Sequence, residues 1–468
     1  MAHTDKRDRF GGDSSTETDP TLLRKATPVV TRPFLFLLFE SGRPLAGGAR
    51  FALSGVDEVV IGRGRRRECT RRRVGGEIHM RVNARSRFLS ADHASIRESS
   101  GGMLIEDLGS RNGLEVNGQQ VSRAILSDGD VFSIGRVFFA IEYEEVPESW
   151  DADPWFGDLE LENADPEQAG LLTLVPDLGL RLDRLRDEAR RQSPMTVVGE
   201  TGTGKELLAR AIHRLSRRRG AYLAINCGAM PRDLIQSELF GHVKGAFTGA
   251  PGSVGYLRDA DRGTLLLDEI VAAPPEVQLA LLRVIQERAV TPIGDTRAHG
   301  VDVRFIAAAQ QSLSQAVVAH GFRPDLRARL EAFVFDLPPL RRRMQDIGVF
   351  VAHALRSAGV TEKDEPFLSP EAGWRLFRND WPLNIRELVL AVQRAWASAR
   401  DGEIDERELP VPRAGALRRK SDLKDQLVAQ LRTTGGNVTE VARRMGRARQ
   451  LIHRWLKRFG IDAEDFRS

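Results

Sequence analysis

Met195-Thr196-Val197-Val198-Gly199-Glu200-Thr201-Gly202-Thr203-Gly204-Lys205 reads as an apolar strand running into a glycine-rich turn that ends on lysine. Glycines let backbone N–H groups close around phosphate, and Lys205 adds a point charge. A helical pattern opens near Glu206, so the order is strand, loop, helix. That order makes the middle of the chain an α/β P-loop domain. It marks Gly199, Glu200, Thr201, Gly202, Thr203, Gly204, Lys205 and Glu206 as expected ATP-binding residues. The general motif places Ser or Thr at 206 to hold Mg²⁺, so Glu206 is a departure.

About 60 residues later a second apolar run, Leu265-Leu266-Leu267, ends on Asp268-Glu269. Adjacent residues at a strand end point differently, so the two carboxylates can take two roles. Asp268 is expected to orient hydrated Mg²⁺, and Glu269 to polarise the attacking water. Val303-Arg304-Phe305-Ile306-Ala307-Ala308 reads as a further buried parallel strand. Strands alternate with amphipathic helices over about 171–410, and a helical segment from about 344 to 405 is expected to form a lid.

On the N-terminal side, short β-type runs alternate with turns over 33–143, for example at Asn112-Gly113 and Asn117-Gly118, which reads as a β-sandwich. Residues 1–32 are polar and expected to be a disordered leader. Residues 144–167 hold ten Asp or Glu and no Lys or Arg, so 144–170 reads as an acidic linker. A linker over 411–420 leads to an all-helical tail, 421–468.

The 468 residues suit about three domains, with 29% charged and 41% hydrophobic residues typical of a soluble globular protein. Two distant cysteines, Cys69 and Cys227, fit a reducing cytosol without disulfides. The apolar run Phe34-Leu35-Phe36-Leu37-Leu38-Phe39 is too short to span a bilayer. The expectation is a cytoplasmic protein with no membrane partner. Net charge is +4, but residues 63–73 carry seven Arg and one Glu, and 411–468 carry fourteen Lys or Arg against six Asp or Glu. The first cluster reads as a solvated, expanded loop. The basic tail points to nucleic acid or to a solvated helical face. Leu451, Trp455 and Phe459 make a helical stripe there. It leaves Arg447, Arg449, Gln450, His453, Arg454 and Lys457 largely outward, able to meet phosphates and base edges.

Three family resemblances add to this reading. Glu238-Leu239-Phe240-Gly241-His242-Val243-Lys244, followed by Gly245-Ala246-Phe247-Thr248-Gly249-Ala250, resembles the surface loop of sigma-54-dependent transcriptional activators, and the resemblance runs through almost all of 195–395. It implies an AAA+ ATPase ring, a hexamer when active. Residues 245–250 would touch the sigma-54 RNA polymerase holoenzyme and the tail would bind upstream enhancer DNA. Glutamate at 206 is usual in that family. The resemblance also implies that Asn226 restrains the catalytic glutamate, that Arg323 and Arg329 reach the γ-phosphate of a neighbouring subunit, and that Gln310 and Arg386 sense nucleotide. Gly62-Arg63, Ser90, His93 and the 107–113 segment resemble a forkhead-associated domain, a phosphothreonine-binding sandwich. There Arg63, Ser90, Arg111 and Asn112 would hold the phosphopeptide, and His93 would buttress the loops. Residues 436–461 resemble the Fis-type helix-turn-helix that ends many sigma-54 activators.

Departures from the family are Ala309 and Gln310 in place of Thr-Asn, Leu383 in place of a lid glycine, Leu390 in place of Asn, and a poor match over 171–190. They motivate a rival reading, a phospho-dependent DNA-binding scaffold whose ATPase has decayed. A general AAA+ unfoldase subunit is a second rival. Phosphothreonine on a partner or on this chain is the expected signal, because the response-regulator phosphoacceptor pattern is missing.

Overall fold

The computed structural model describes residues 29–99, 102–149, 159–160, 170–246, 252–364, 366–410, 420–445 and 449–466. The central domain is a five-stranded parallel sheet. Its order is Tyr222–Asn226, Thr264–Asp268, Arg304–Ala309, Met195–Val198, Phe333–Asp336. Both faces are covered, which is why its strands are continuously apolar. Leu265, Leu267, Phe305 and Ala307 pack on the Ile235, Leu239 and Leu281 side. Leu266, Ile306 and Val197 pack against Leu178, Leu182 and Leu208. The strand order reverses beside Met195–Val198, so the glycine loop opens at the switch point where ligands settle in such sheets.

The N-terminal unit is a β-sandwich of a seven-stranded and a six-stranded sheet. It is longer than the sequence reading allowed. Val29–Arg32 pair with Glu144–Pro147 and Leu159–Glu160 pair with Ala49–Arg50, so both the leader and the acidic linker surrender residues to strands. The arginine-rich stretch also differs from expectation. Glu68–Val74 is an edge strand paired with Glu77–Ala84 through a Gly75-Gly76 turn, where both glycines have positive φ. Exposed arginines suit an edge that must not recruit another strand. Arg67 is not solvated at all: it is buried in an ion pair with Glu40 at 2.5 Å.

Strand Val29–Glu40 belongs to two cores at once. Leu35 and Leu37 point into the sandwich with Phe139 and Ile141. Phe34, Phe36, Leu38 and Phe39, with Phe138 opposite, face the lid helices Ile347–Ser357, Pro370–Arg378 and Asn384–Ser398. The Phe138 ring meets Trp374 edge-on at 5.1 Å and lies 5.5 Å from Phe377. The approach is close: a Cβ on Gly348 would sit 2.0 Å from the Leu38 carbonyl oxygen, and one on Gly373 would sit 2.5 Å from the Phe138 ring. Sandwich and lid thus share one apolar core.

Three helices, Lys420–Thr434, Val438–Met445 and Arg449–Phe459, form the tail around Leu427, Leu431, Val441, Ile452, Trp455 and Leu456. Trp455 lies in the expected stripe and Phe459 packs against it. Ile452 and Leu456 carry the buried face alongside them, giving the i, i+3, i+4, i+7 set. The Leu451 side chain is outside the described ones. Among the described residues no helix is long and apolar enough to cross a membrane.

Phe138→Ala should lower unfolding stability by about 3–5 kcal/mol, the usual cost of truncating a buried aromatic. Because the ring belongs to the shared core, sandwich and lid should lose structure in one denaturant transition, followed by circular dichroism and tryptophan fluorescence together. Two separated transitions in the wild type would contradict a shared core.

Candidate functional site

The glycine loop carries positive φ at Gly202 (77°) and Gly204 (98°), and helix Lys205–Leu215 starts directly behind it. Thr201, Gly202, Gly204, Lys205, Glu206, Asn226, Asp268, Glu269 and Arg386 line one cavity of about 260 Å³. The loop, the strand-end carboxylates and the lid arginine are therefore brought together. Leu207 and Ile385, the chain neighbours of Glu206 and Arg386, complete the lining with His353 and Val389, and the last two carry no sequence signature. Gln310 is exposed beyond strand Arg304–Ala309 and does not line the cavity.

Lys205 Nζ donates to the Gly199 and Glu200 carbonyls at 2.8 and 3.1 Å. Burial holds its pKa below the ordinary lysine value, opposed by Asp268 and Glu269. Asn226 Oδ1 accepts from the Gly228 and Ala229 N–H groups at 2.8 and 2.9 Å, and its Nδ2 lies 3.5 Å from Asp268 Oδ2. Glu269 sits in the left-handed region at φ 52°, a conformation that costs energy outside glycine and tends to be kept at working sites. Its Oε2 lies where a Cβ on Gly228 would come within 2.3 Å. Neighbouring Cys227 is buried, which pushes its thiol up to about 12 and leaves it unreactive.

The lid is fastened onto the loop. Arg341 grips Glu200 with two hydrogen bonds of 2.7 and 2.6 Å, and this pairing holds the Glu200 pKa below the usual carboxylate range. Asn384 Nδ2 donates to the Thr201 carbonyl at 2.9 Å, Arg343 Nη2 to Thr203 at 2.7 Å, and the Arg386 N–H to Gly202 at 3.2 Å. Any side chain at 202 would strike the Leu383 carbonyl, 2.0 Å from the Cβ position. Leu383 itself has φ −98° and is 51% exposed, so this position does not need glycine. The left-handed residues of the turn are Trp381 and Asn384.

Arg323 caps the N-terminus of helix Pro324–Leu330 and Arg329 lies in its last turn, and neither lines the cavity of its own chain. Arg323 pairs with Asp325 at 2.7 Å, and Arg329 is exposed. Gly245 (φ 84°) and Ala246 lie at the end of a stem in which His242 and Ser253 exchange backbone hydrogen bonds of 3.0 and 2.8 Å. Phe247, Thr248, Gly249 and Ala250 are outside the described residues.

Three loops meet at the tip of the sandwich. The Arg63 N–H donates to the Ser90 carbonyl at 2.9 Å, and the Arg111 N–H to Ser90 Oγ at 3.3 Å. A Cβ on Gly62 would fall 1.8 Å from the Ala91 carbonyl oxygen, so glycine is required beside Arg63. His93 is fully buried and bridges the loops, accepting from the Ser90 N–H at 3.1 Å while its Nε2 meets the Gly113 carbonyl at 3.0 Å. Asn112 donates to the Phe88 carbonyl at 2.6 Å. In the tail, Arg449 and His453 are exposed on the last helix. Gln450, Arg454 and Lys457 fall on that helix with side chains outside the described ones, and Arg447 lies outside the described residues.

Family models agree with this layout. A sigma-54 interaction domain matches residues 177–336, an FHA domain 59–135 and an AAA+ ATPase lid domain 341–426. The transcriptional regulatory protein ZraR of Salmonella typhimurium is 40% identical over 306 residues, covering 63% of this chain and 69% of its own length. The acetoin catabolism regulatory protein of Cupriavidus necator is 39% identical over 344 residues, 68% of this chain and 50% of that protein. Among solved structures, NtrX from Brucella abortus in complex with ATP is 32% identical, covers 60% of this chain and 68% of its own, and superposes with a TM-score of 0.45.

Gly228→Ala should push the flexible Glu269 carboxylate aside without disturbing backbone. Misplacement of such a group costs up to about a hundredfold in rate. Steady-state ATP hydrolysis should therefore fall between about tenfold and a hundredfold, with nucleotide affinity unchanged in an equilibrium titration.

Proposed function

This chain belongs to the sigma-54-dependent transcriptional regulators, and from that membership we propose that it is an ATP-driven activator that opens sigma-54 promoters. The observation that carries the reading is continuity between cavity and loop. Asn226, in the cavity wall, ends the strand that leads through helix Arg232–Phe240 into the 241–246 stem. A change at the Asp268-Glu269 edge of the cavity has a short covalent route to residues 245–250, which would press on sigma-54.

Lys205 and the loop amides bind and orient the ATP phosphates, and Glu269 takes the proton of the attacking water. Mg²⁺ would be held by Asp268 and phosphate oxygens and would neutralise developing charge. The donor set fits: Asp268 lines the cavity beside Lys205 and Glu269, and Mg²⁺ commonly keeps waters and takes one or two carboxylates together with phosphate oxygens. Arg323, partly buried, and Arg329, exposed, both lie outside their own cavity and serve a neighbouring protomer, so the active form is a ring, read as a hexamer. Arg386 senses nucleotide within the chain. Gln310 is exposed and does not line this cavity, and the departures that motivate a decayed ATPase leave Lys205, Asp268 and Glu269 together.

The C-terminal helices act as a Fis-type helix-turn-helix on upstream DNA, with Arg449, Gln450 and Arg454 as the first candidates for base contact. The sandwich tip binds phosphothreonine through Arg63, Ser90, Arg111 and Asn112, so a kinase signal regulates the activator. Acting on RNA polymerase, the protein works in the cytoplasm.

Open-complex formation on a sigma-54 promoter, with purified holoenzyme and ATP, tests the proposal. Wild type should open the promoter, and Thr248→Ala should hydrolyse ATP yet open it at least about tenfold less, the loss expected when a contact worth 1.4 kcal/mol or more is removed. Lys205→Ala should do neither. ATP hydrolysis by wild type with no opening, with or without phosphothreonine peptides, would sink the activator reading.

A further inference from the structure

The tip of the sandwich is tied to the lid by a chain of side chains that starts at Asn112 in the peptide loops. Asn112, placed to grip a peptide backbone, has its amide on the Phe88 carbonyl at 2.6 Å. The Phe88 ring carries the Arg136 guanidinium 3.8 Å from its centroid. The same guanidinium lies 5.4 Å from the ring of Phe367, in the short lid strand Phe367–Leu368.

Each part of this stack is held in place. Gly135 and Arg136 form a left-handed hairpin turn, with φ 51° and 65°. The Gly135 carbonyl accepts from Ser86 Oγ at 2.9 Å, and a Cβ on Gly135 would come 2.6 Å from the Phe88 carbonyl oxygen. On the lid side, the Leu368 N–H donates to the Ser41 carbonyl at 3.0 Å. A second tie leaves the same loop. Glu115, three residues after Asn112, accepts from Trp374 Nε1 at 2.5 Å, and Arg378 Nη2 donates to the Asn117 carbonyl at 3.4 Å. The lid so held carries His353, Ile385, Arg386 and Val389 to the nucleotide cavity.

We propose that Arg136 is a positioning residue that couples phosphothreonine capture at the sandwich tip to nucleotide binding under the lid. The proposal rests on the phosphothreonine reading above. A peptide backbone gripped by both the oxygen and the N–H groups of Asn112 turns that amide off the Phe88 carbonyl. When a peptide takes it, the 86–89 segment loses a tie, and the cation between the Phe88 and Phe367 rings loses one of its two faces. Cation–π contacts are individually modest, but this one bridges two units that already share a core. With the lid seated on the glycine loop, Asn112 is on Phe88. A nucleotide joining lid and loop strengthens that seat and so weakens peptide binding. By linkage the peptide weakens nucleotide binding by the same factor.

The test uses the full-length protein. A tight peptide is first selected from an oriented phosphothreonine library. Its Kd is then read by fluorescence anisotropy without nucleotide and with saturating ATPγS. The expected result is a weakening of about fivefold or more with nucleotide in the wild type. Arg136→Gln and, independently, Phe367→Leu should cut that difference below about twofold while both ligands still bind. Unchanged or tighter peptide binding in the presence of ATPγS would overturn the coupling, as would variants that keep the full wild-type difference. Failure of every phosphothreonine peptide to bind would overturn the underlying reading instead, and the coupling with it.

Discussion

One strand with two buried faces holds the molecule together. Val29–Glu40 sends Leu35 and Leu37 into the sandwich and Phe34, Phe36, Leu38 and Phe39 into the lid. Its partner Val137–Pro147 divides in the same way, with Phe139 and Ile141 on one side and Phe138 and Ala140 on the other. Removing the lid would expose a contiguous sheet of aromatic and aliphatic side chains, a surface that soluble proteins do not leave bare. A recognition module on a free tether would carry polar residues on that face. Here the sandwich is packed onto the ATPase lid through one shared core.

The lid is the middle member of a three-part stack. It meets the sandwich through apolar packing and the glycine loop through polar contacts: Arg341 on Glu200, Asn384 on Thr201, Arg343 on Thr203. The two joints differ physically. The first is non-directional and costly to open because it removes apolar surface from water. The second is polar, an ion pair from Arg341 to the Glu200 carboxylate and hydrogen bonds from Asn384 and Arg343 to loop carbonyls, with Lys205 satisfying two more, and polar contacts of this kind are modest in net contribution. Rearrangement therefore belongs at the loop–lid joint, which is where a phosphate group would claim Lys205.

Much of this was readable in the chain. The 195–205 stretch and the Leu265–Glu269 run place loop and carboxylates in one cavity because a parallel sheet brings strand ends to one edge. The two-faced strand was also written in the sequence: Phe34 to Phe39 is apolar without alternation, the mark of a strand covered on both sides. Judged only against the thickness of a bilayer, that signal gave up half its content. The arginine-rich segment misled for another reason. Charge density describes solvent exposure on average, and it cannot show that Arg67 turns inward to Glu40 while Arg71, Arg72 and Arg73 lie on an edge strand. His353 and Val389 had no local pattern to betray them, because they reach the cavity only through the tertiary placement of lid helices.

The Leu383 departure shows how a motif letter differs from a conformational requirement. Glycine in a turn is demanded where φ is positive or where another chain element presses on the Cβ position. At 383 neither holds: φ is −98° and the side chain is half exposed. The positive φ angles fall on Asn384, a residue type that tolerates them, and on Trp381, which is buried and fixed by donating Nε1 to the Leu376 carbonyl at 2.9 Å. The steric demand falls across the joint on Gly202, where the Leu383 carbonyl leaves no room for a side chain. The glycine that this contact needs lies in the phosphate loop, and the lid can carry leucine because its backbone, not its side chain, makes the seat.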